Sequence, residues 1–327
     1  MKFLFFTDPH IRGNSPANRK DNFPDTLEAK LKEIAGIIKE DGIDYCLCGG
    51  DLFDSPMPSI SVATRFVKDL KDMDVPIYAV AGNHDMYGHN PDTLGRTMIG
   101  FLSSIGIVNL IRPGRKIMLD EGGCRVQLTG QEFIYNLDDG SGEGYIVNDK
   151  QADVAIHMVH GFLTDTKMFE GVRYTAIDAL SDTKADITLA GHNHAGFKDV
   201  NEGGRYILNP GGLARITNHL SEMRRMPQVV IIDIAGEINI EKRRLKVAKK
   251  GEEVLDRTTV EATRMHREKL EEFAREIRAS GMGKPINIKE IINEIADNKD
   301  IDDNVKHEAL RRIALADESG GGGNEEV

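Results

Sequence analysis

Five times between residues 2 and 194, a short apolar run stops on a block of histidine, aspartate, asparagine and glycine. Lys2–Phe6 runs into Thr7, Asp8, Pro9 and His10. Asp44–Cys48 runs into Gly49, Gly50, Asp51, Leu52, Phe53 and Asp54. Pro76–Val80 runs into Ala81, Gly82, Asn83, His84 and Asp85. Val154–Val159 runs into His160 and Gly161, and Asp186–Ala190 runs into Gly191, His192, Asn193 and His194. Each run has a strand's length and a glycine or polar stop. Every block therefore follows the C-terminal end of an expected strand. In open α/β sheets the loops at that end converge on one rim, where sites form. Glycine at such a rim permits close backbone approach and unusual dihedrals.

The residue types suit one kind of metal chemistry. Mixed imidazole, carboxylate and amide donors without thiolate fit Mn²⁺, Fe or Zn²⁺ better than Mg²⁺ alone. A carboxylate bridges two ions and an imidazole does not. Two ions about 3.5–4 Å apart clamp a phosphoryl group and activate a water near neutral pH. No Ser, Cys or Thr nucleophile is then required. Any one block is weak testimony, but the five in this order point to a two-metal phosphoesterase.

The five blocks resemble the calcineurin-like metallophosphoesterase superfamily over roughly residues 1–242. The resemblance implies that Asp8, His10 and His194 hold one metal. It gives Asn83, His160 and His192 to the other, with Asp51 bridging. It keeps His84 off the metals, as the group that steadies the scissile phosphate and protonates the leaving oxygen. Asp54 stands where many members place the carboxylate that orients this histidine. Within the superfamily the chain looks like the SbcD-type DNA nuclease subunits of bacteria and phages. Gly49 to Asp54 followed by Pro58 and Ser59 carries that likeness, as do Asn209, Pro210, Gly211 and Gly212 followed by Arg215. Where Asp54 stands, archaeal and eukaryotic relatives often carry histidine, and a DNA-capping module after the catalytic domain is not recognisable. The resemblance implies two divalent ions, most naturally Mn²⁺, and DNA as substrate. It also implies an SbcC-like ABC ATPase as partner, with a homodimer left open. A phosphodiesterase for cyclic or other small nucleotides shares the same site. A scaffold that keeps the fold without catalysis would show lost ligands, and here every position is filled.

Composition is compatible with a soluble cytoplasmic enzyme. The chain has 327 residues, 40% of them hydrophobic, enough for one large core and a smaller appendage. No run approaches 18 apolar residues, so no membrane span is expected. The apolar start is too short for a signal sequence and leads directly into Asp8. Of three cysteines, Cys46 and Cys48 lie on an expected buried strand and read as reduced core residues. The formal net charge of −11 opposes nonspecific DNA binding. Glu241–Lys250 is the most basic run. It reads either as a solvated strand exit or as a phosphate or partner contact. Arg215 reads as a surface arginine or a phosphate contact. His157, three residues before His160 on a strand, points to the opposite face and reads as a packed histidine. Asp85 reads as structural, holding its loop through backbone hydrogen bonds, and His89 as a loop residue near the rim.

The intervening segments complete an α/β design. Residues 25–40 place Leu27, Leu31, Ile34 and Ile38 on one helix face. Residues 59–71 repeat the pattern with Ser59 as N-cap, and 91–104 form a third candidate helix. From about Lys116 the chain turns strand-rich, with runs at 116–119, 124–129, 205–208 and 229–234. A two-sheet sandwich flanked by helices follows. The expected organisation is a catalytic domain over 1–245, a helical C-terminal extension over 251–318 and a disordered tail over 319–327. The extension has amphipathic stretches at 258–279, 287–297 and 302–315, which pack within the chain or grip the ATPase.

Overall fold

The computed structural model describes residues 1–258 and the single positions 265, 269, 308 and 311. The three expected C-terminal helices and the glycine-rich tail fall almost wholly outside the described residues. The chain divides into two compact units, Met1–Thr259 and Val260–Val327. In the first, two six-stranded sheets form the expected sandwich. One sheet has the order β14 (Glu237–Arg244), β13 (Gln228–Ala235), β1 (Lys2–Phe6), β2 (Tyr45–Cys48), β3 (Ile77–Ala79) and β4 (Asn109–Leu110). The other has the order β11 (Val200–Glu202), β12 (Arg205–Leu208), β10 (Ile187–Ala190), β7 (Val154–Val159), β6 (Cys124–Gln131) and β5 (Ile117–Glu121). A small pair, β8 (Leu163–Thr164) and β9 (Thr175–Ala176), stands apart.

Strands β1 to β4 are mutually parallel, and so are β6, β7, β10 and β12. Alternation along β1 explains the layering. Phe3 and Phe5 face the second sheet, where they join Leu47, Val80, Ile156, Met158 and Leu189. Leu4 and Phe6 face the helices, with Cys46, Cys48, Leu27, Leu31 and Phe66. A strand buried on both faces loses the polar alternation of a surface strand, so Lys2–Phe6 reads as a continuous apolar run. Cys46 and Cys48 are buried free thiols, as expected, and burial pushes the Cys46 thiol up to about 12.

Helix α1 (Phe23–Asp41) starts where the Asn22 side chain accepts from the Asp25 amide, and α2 (Ile60–Lys71) starts where Ser59 accepts from Val62. The third expected helix is two pieces. A 3₁₀ stretch, Pro91–Arg96, precedes α3 (Met98–Ser104). Thr97 between them is extended, and its hydroxyl accepts from the Gly100 amide. That cap restarts the helix instead of letting it continue.

Strand β14 was not apparent as a paired strand. It forms a full antiparallel ladder with β13, from Gln228↔Arg244 to Ala235↔Glu237. Its charges suit a sheet edge, and they are partly consumed there. Lys242 pairs with Asp199, and Arg243 pairs with Asp41 at 2.6 Å and Glu241 at 2.8 Å. The chain then stays on this unit, with Leu245, Ala248, Val254 and Leu255 all buried. Among the described residues, no helix is long and apolar enough to cross a membrane.

His157 is a packed histidine, as its strand position implied. Its Nε2–H donates to the Gly144 carbonyl at 2.8 Å, so Nδ1 accepts from the Thr129 hydroxyl at 2.8 Å. Burial lowers its pKa from the usual 6.5 to about 4. Between those values the unfolded chain binds a proton that the folded chain does not. Stability is therefore complete above pH 6.5 and falls as pH drops toward 4. The His157 contribution is on the order of 3 kcal/mol at most. We expect His157→Gln, which keeps a donor and an acceptor, to flatten this slope. The check is denaturant melts of both proteins at pH 7 and pH 4.5; an unchanged difference between the two pH values would refute it.

Candidate metal centre

Strand register assembles the rim. Phe6 lies beside Cys48 and Cys48 beside Ala79, so the three blocks after β1, β2 and β3 leave together. Val159 lies beside Ala190, which aligns His160 with Gly191 and His192. The first two blocks continue side by side: Asp8 N donates to Gly50 O at 3.1 Å, His10 N to Asp51 O at 3.0 Å and Ile11 N to Leu52 O at 2.9 Å. Asp8, His10, Asp51 and His192 all adopt positive φ, at 51°, 46°, 47° and 67°. Such backbone costs about 1–3 kcal/mol per residue and persists where the surroundings over-determine it. Two glycines make the approach possible. A Cβ on Gly50 would stand 2.3 Å from His160 Nδ1, and one on Gly82 would stand 2.1 Å from Asp51 Oδ1.

The side chains converge in two groups that share Asp51. Asp8, His10, Asp51 and His194 bring ligand atoms within 4.8 Å of one another, and so do Asp51, His160 and His192. Asp51 Oδ1 accepts from the His84 amide at 2.8 Å. Its Oδ2 is the central atom, 3.5 Å from His10 Nε2 and 3.4 Å from His160 Nε2. His10 Nε2 and His194 Nε2 face each other at 3.0 Å. Asn83 Oδ1 is 3.2 Å from His160 Nε2. A carbonyl oxygen only accepts, so His160 Nδ1–H donates to Gly49 O at 2.7 Å, which turns Nε2 inward. Backbone carbonyls commonly orient ligating imidazoles in this way.

The electrostatics describe a cavity built around positive charge. Burial would raise the Asp8 carboxyl, but neighbouring His194 outweighs it and brings the pKa down to about 2. Asp51 is held below the usual carboxylate range against the same burial, chiefly by His160. Burial opposes a charged His160, yet Asp51 lifts it to about 9. His194 is raised too, by Asp8 against burial, whereas burial and cationic His160 bring His192 down to about 4. Protons on His160 and His194 thus stand where a cation would compensate the buried carboxylates. Nitrogen and oxygen donors without thiolate, meeting at one carboxylate, fit a pair of divalent ions.

The profile of the calcineurin-like phosphoesterases matches residues 1–196. The chain belongs to that family. Its members are metal-dependent hydrolases with a dinuclear divalent site. Among curated relatives, the DNA double-strand break repair protein Mre11 of Methanococcus maripaludis is 35% identical over 89 residues, 26% of this chain and 23% of that protein. The double-strand break repair protein MRE11 of Encephalitozoon cuniculi is 26% identical over 286 residues, 75% of this chain and 47% of that protein. The chain spans less than half the length of these relatives. Among solved structures, a Thermus thermophilus sulfate thiohydrolase SoxB aligns at 12% identity with a TM-score of 0.44. That alignment covers 77% of this chain and 58% of that one, a likeness too loose to carry weight.

All seven expected ligands of this phosphoesterase, with His84, lie at the one rim. Asp54 differs from expectation. The oxygen that accepts from His84 Nδ1, at 3.0 Å, is the Asp54 backbone carbonyl. Its carboxylate turns instead to His10 Nδ1 at 3.4 Å and Arg12 at 3.0 Å. The left-handed turn at His10 presents that ring to residue 54, where a carboxylate pairing with His84 was expected. Asp85 is structural, as expected: its carboxylate accepts from the amides of Leu52, Phe53 and Gly82 at 3.2, 3.0 and 2.9 Å.

Arg215 is neither a surface residue nor a phosphate contact. It is 1% exposed and donates to the carbonyls of Arg225 and Lys249. It belongs to a strap that sequence reasoning missed. The amides of Gly212, Leu213 and Ala214 donate to the carbonyls of His194, Thr7 and Asp8. The carbonyls of Gly212, Leu213, Ala214 and Arg215 accept in turn from Arg225, Lys30, Arg225 and Arg19. Buried cations thus pin the backbone behind two expected ligands. Only the strap's glycines and proline hinted at it, because nothing in a sequence pairs Lys30 with residue 213.

The glycine contacts yield a prediction. Gly82→Ala places a methyl group on Asp51, so either the carboxylate or the β3 loop must move. We expect a folded protein with metal content below one ion per chain, read by elemental analysis after dialysis. Two ions per chain in the variant would show that Asp51 is not so confined.

Proposed function

We propose that this chain is a Mn²⁺-dependent phosphodiesterase acting on DNA, an SbcD-like nuclease subunit. The observation that carries the reading is the meeting of two ligand groups at one buried oxygen, Asp51 Oδ2, with His84 beside it. In this reading Asp8, His10 and His194 would hold one ion, Asn83, His160 and His192 would hold the other, and Asp51 would be shared between them. When bound, the pair clamps a phosphodiester and supplies an activated water. His84 is the general acid. With Nδ1–H committed to the Asp54 carbonyl, the proton for the departing oxygen would be carried on Nε2 of the doubly protonated ring. Asp54 is a positioning residue that acts on the outer nitrogen of His10. DNA as substrate is supported by the likeness to double-strand break repair proteins.

His84→Ala should keep both metals and lose about 10²–10⁴-fold in rate. Metal analysis alongside turnover of bis-p-nitrophenyl phosphate tests this. Loss of metal would make His84 a ligand and overturn its role.

The partner in this reading is an SbcC-like ATPase gripped by the helical extension. A cut at residue 250 would damage the catalytic unit, because Val254 and Leu255 are buried there and Asp256 N donates to Asn18 O. We expect a chain ending at 258 to cleave linear DNA with Mn²⁺, more tightly bound at low salt, but to lose ATPase stimulation. Turnover of cyclic nucleotides with no DNA cleavage by the full chain would replace the DNA reading. Unchanged stimulation of the shortened chain would place the partner elsewhere.

A further inference from the structure

The rim carries aromatic side chains that the chemistry above does not use. Two loops leave the C-terminal ends of neighbouring strands β6 and β7. In the first, the Phe133 ring stands 5.5 Å from the His192 ring and 6.5 Å from the His160 ring. In the second, Phe162 stands 5.9 Å from His192. Asp138 ties the loops together, accepting from the Phe162 amide at 2.8 Å and the Thr175 hydroxyl at 3.1 Å. Further out, Tyr135 on the first loop is 70% exposed, and Phe169, on the connection between β8 and β9, is 84% exposed. The Arg173 guanidinium lies over the Tyr135 ring, 4.8 Å from its centroid. It donates to Tyr135 O and Asn136 Oδ1, both at 3.3 Å. Its charge is thus not spent on a carboxylate hydrogen bond.

We propose that Tyr135, backed by Arg173, and Phe169 form a stacking subsite for unpaired nucleobases flanking the phosphodiester at the metal centre. This rests on the DNA reading above and adds to it which part of the nucleic acid is gripped, and by what. Tyr135 and Phe169 are among the most exposed large apolar side chains of the described residues. Continuity gives them an occupant. Phe133 lies against the His192 ring two residues before Tyr135, and Arg173 ties Tyr135 to the segment that carries Phe169, so these rings stand on chain segments that continue from the rim. Arg173 covers one face of Tyr135 and leaves the ring otherwise open, an arrangement that accepts a base by stacking. Charge points the same way. A net charge of −11 opposes long-range attraction of a polyanion, and base stacking adds affinity that does not depend on charge. Bases inside an intact duplex do not reach such rings. The subsite therefore selects single strands and frayed ends. A protein partner would use the apolar surface but would not need it at the mouth of the metal centre.

The test uses the full-length protein with Mn²⁺, in wild-type form and as Tyr135→Ala, Phe169→Ala and the double variant. Binding is measured by anisotropy with a labelled single-stranded oligonucleotide and an abasic oligomer of the same length. Hydrolysis of bis-p-nitrophenyl phosphate reports the metal centre separately. We expect wild type to bind the base-bearing strand at least 10-fold more tightly than the abasic one. Each alanine should remove about 5- to 100-fold of that preference, the range for one stacked base, with abasic binding and small-diester turnover unmoved. Equal wild-type affinity for the two oligomers overturns the subsite while leaving the phosphodiesterase reading intact. So does an undiminished preference in the double variant, including the case where only ATPase binding is lost. Absence of any small-diester turnover by wild type marks failure of the underlying reading instead.

Discussion

Two buried carboxylates set the terms for the rest of this structure. Asp8 and Asp51 are 0% and 1% exposed, and an unpaired ion so placed would cost several kcal/mol. Everything around them lowers that cost. His160 and His194 carry positive charge toward them, and the His84 and His192 amides donate to them. The Thr7 hydroxyl adds a bond to Asp8 at 2.6 Å. Such a constellation would be expensive to maintain for packing alone. It is a cavity whose ground state is poorly served by protons and well served by divalent cations.

The strap behind the site shows how far this requirement reaches. Lys30, Arg19, Arg215 and Arg225 are cations in the interior, and Asp21 and Glu222 are the carboxylates that bond to them. Burial lowers Lys30 and brings Arg215 down to about 10. The main use of these cations is to donate to backbone carbonyls, which fixes the amide side of the same residues on Thr7, Asp8 and His194. Arg215 also reaches Lys249 O, and Asn218 reaches Asp256 O at 3.1 Å. The segment through which the chain leaves the catalytic unit is therefore hydrogen-bonded to the strap that holds the backbone of Asp8 and His194.

What was legible in the sequence follows from what each feature depends on. The strand ends were legible because burial on both faces makes an apolar run, and a ligand block stops it. The gathering of the five blocks at one rim was legible because each block follows a strand end, and parallel strands deliver their C-terminal loops to the same side. Helix α1 was legible from its apolar face, whereas its Asn22 cap and its start at Phe23 emerged only from the structure. Strand β14 was hidden because an edge strand carries charge, and Glu241 to Arg244 read as a solvated stretch until its partners were visible. The third helix split because one hydroxyl, Thr97, outcompetes propensity. Asp54 was misaimed because the left-handed turn at His10 brings that ring to it, and φ is not written in residue names. Arg215 looked like a surface cation because interior arginines are recognisable only when the carbonyls around them are known.

The charge pattern bears on how such a site holds its substrate. The basic run that looked available for phosphates is partly spent, with Lys242 on Asp199 and Arg243 on Asp41. Arg12 at the rim is spent on Asp54, and Arg112 on Glu132 at 2.7 Å. The cations of the strap are committed to backbone carbonyls. The net charge of −11 opposes long-range attraction of a polyanion. If the proposed subsite at Tyr135 and Phe169 operates, its uncharged rings add a contribution that salt does not screen to the salt-dependent contribution of the phosphate contacts.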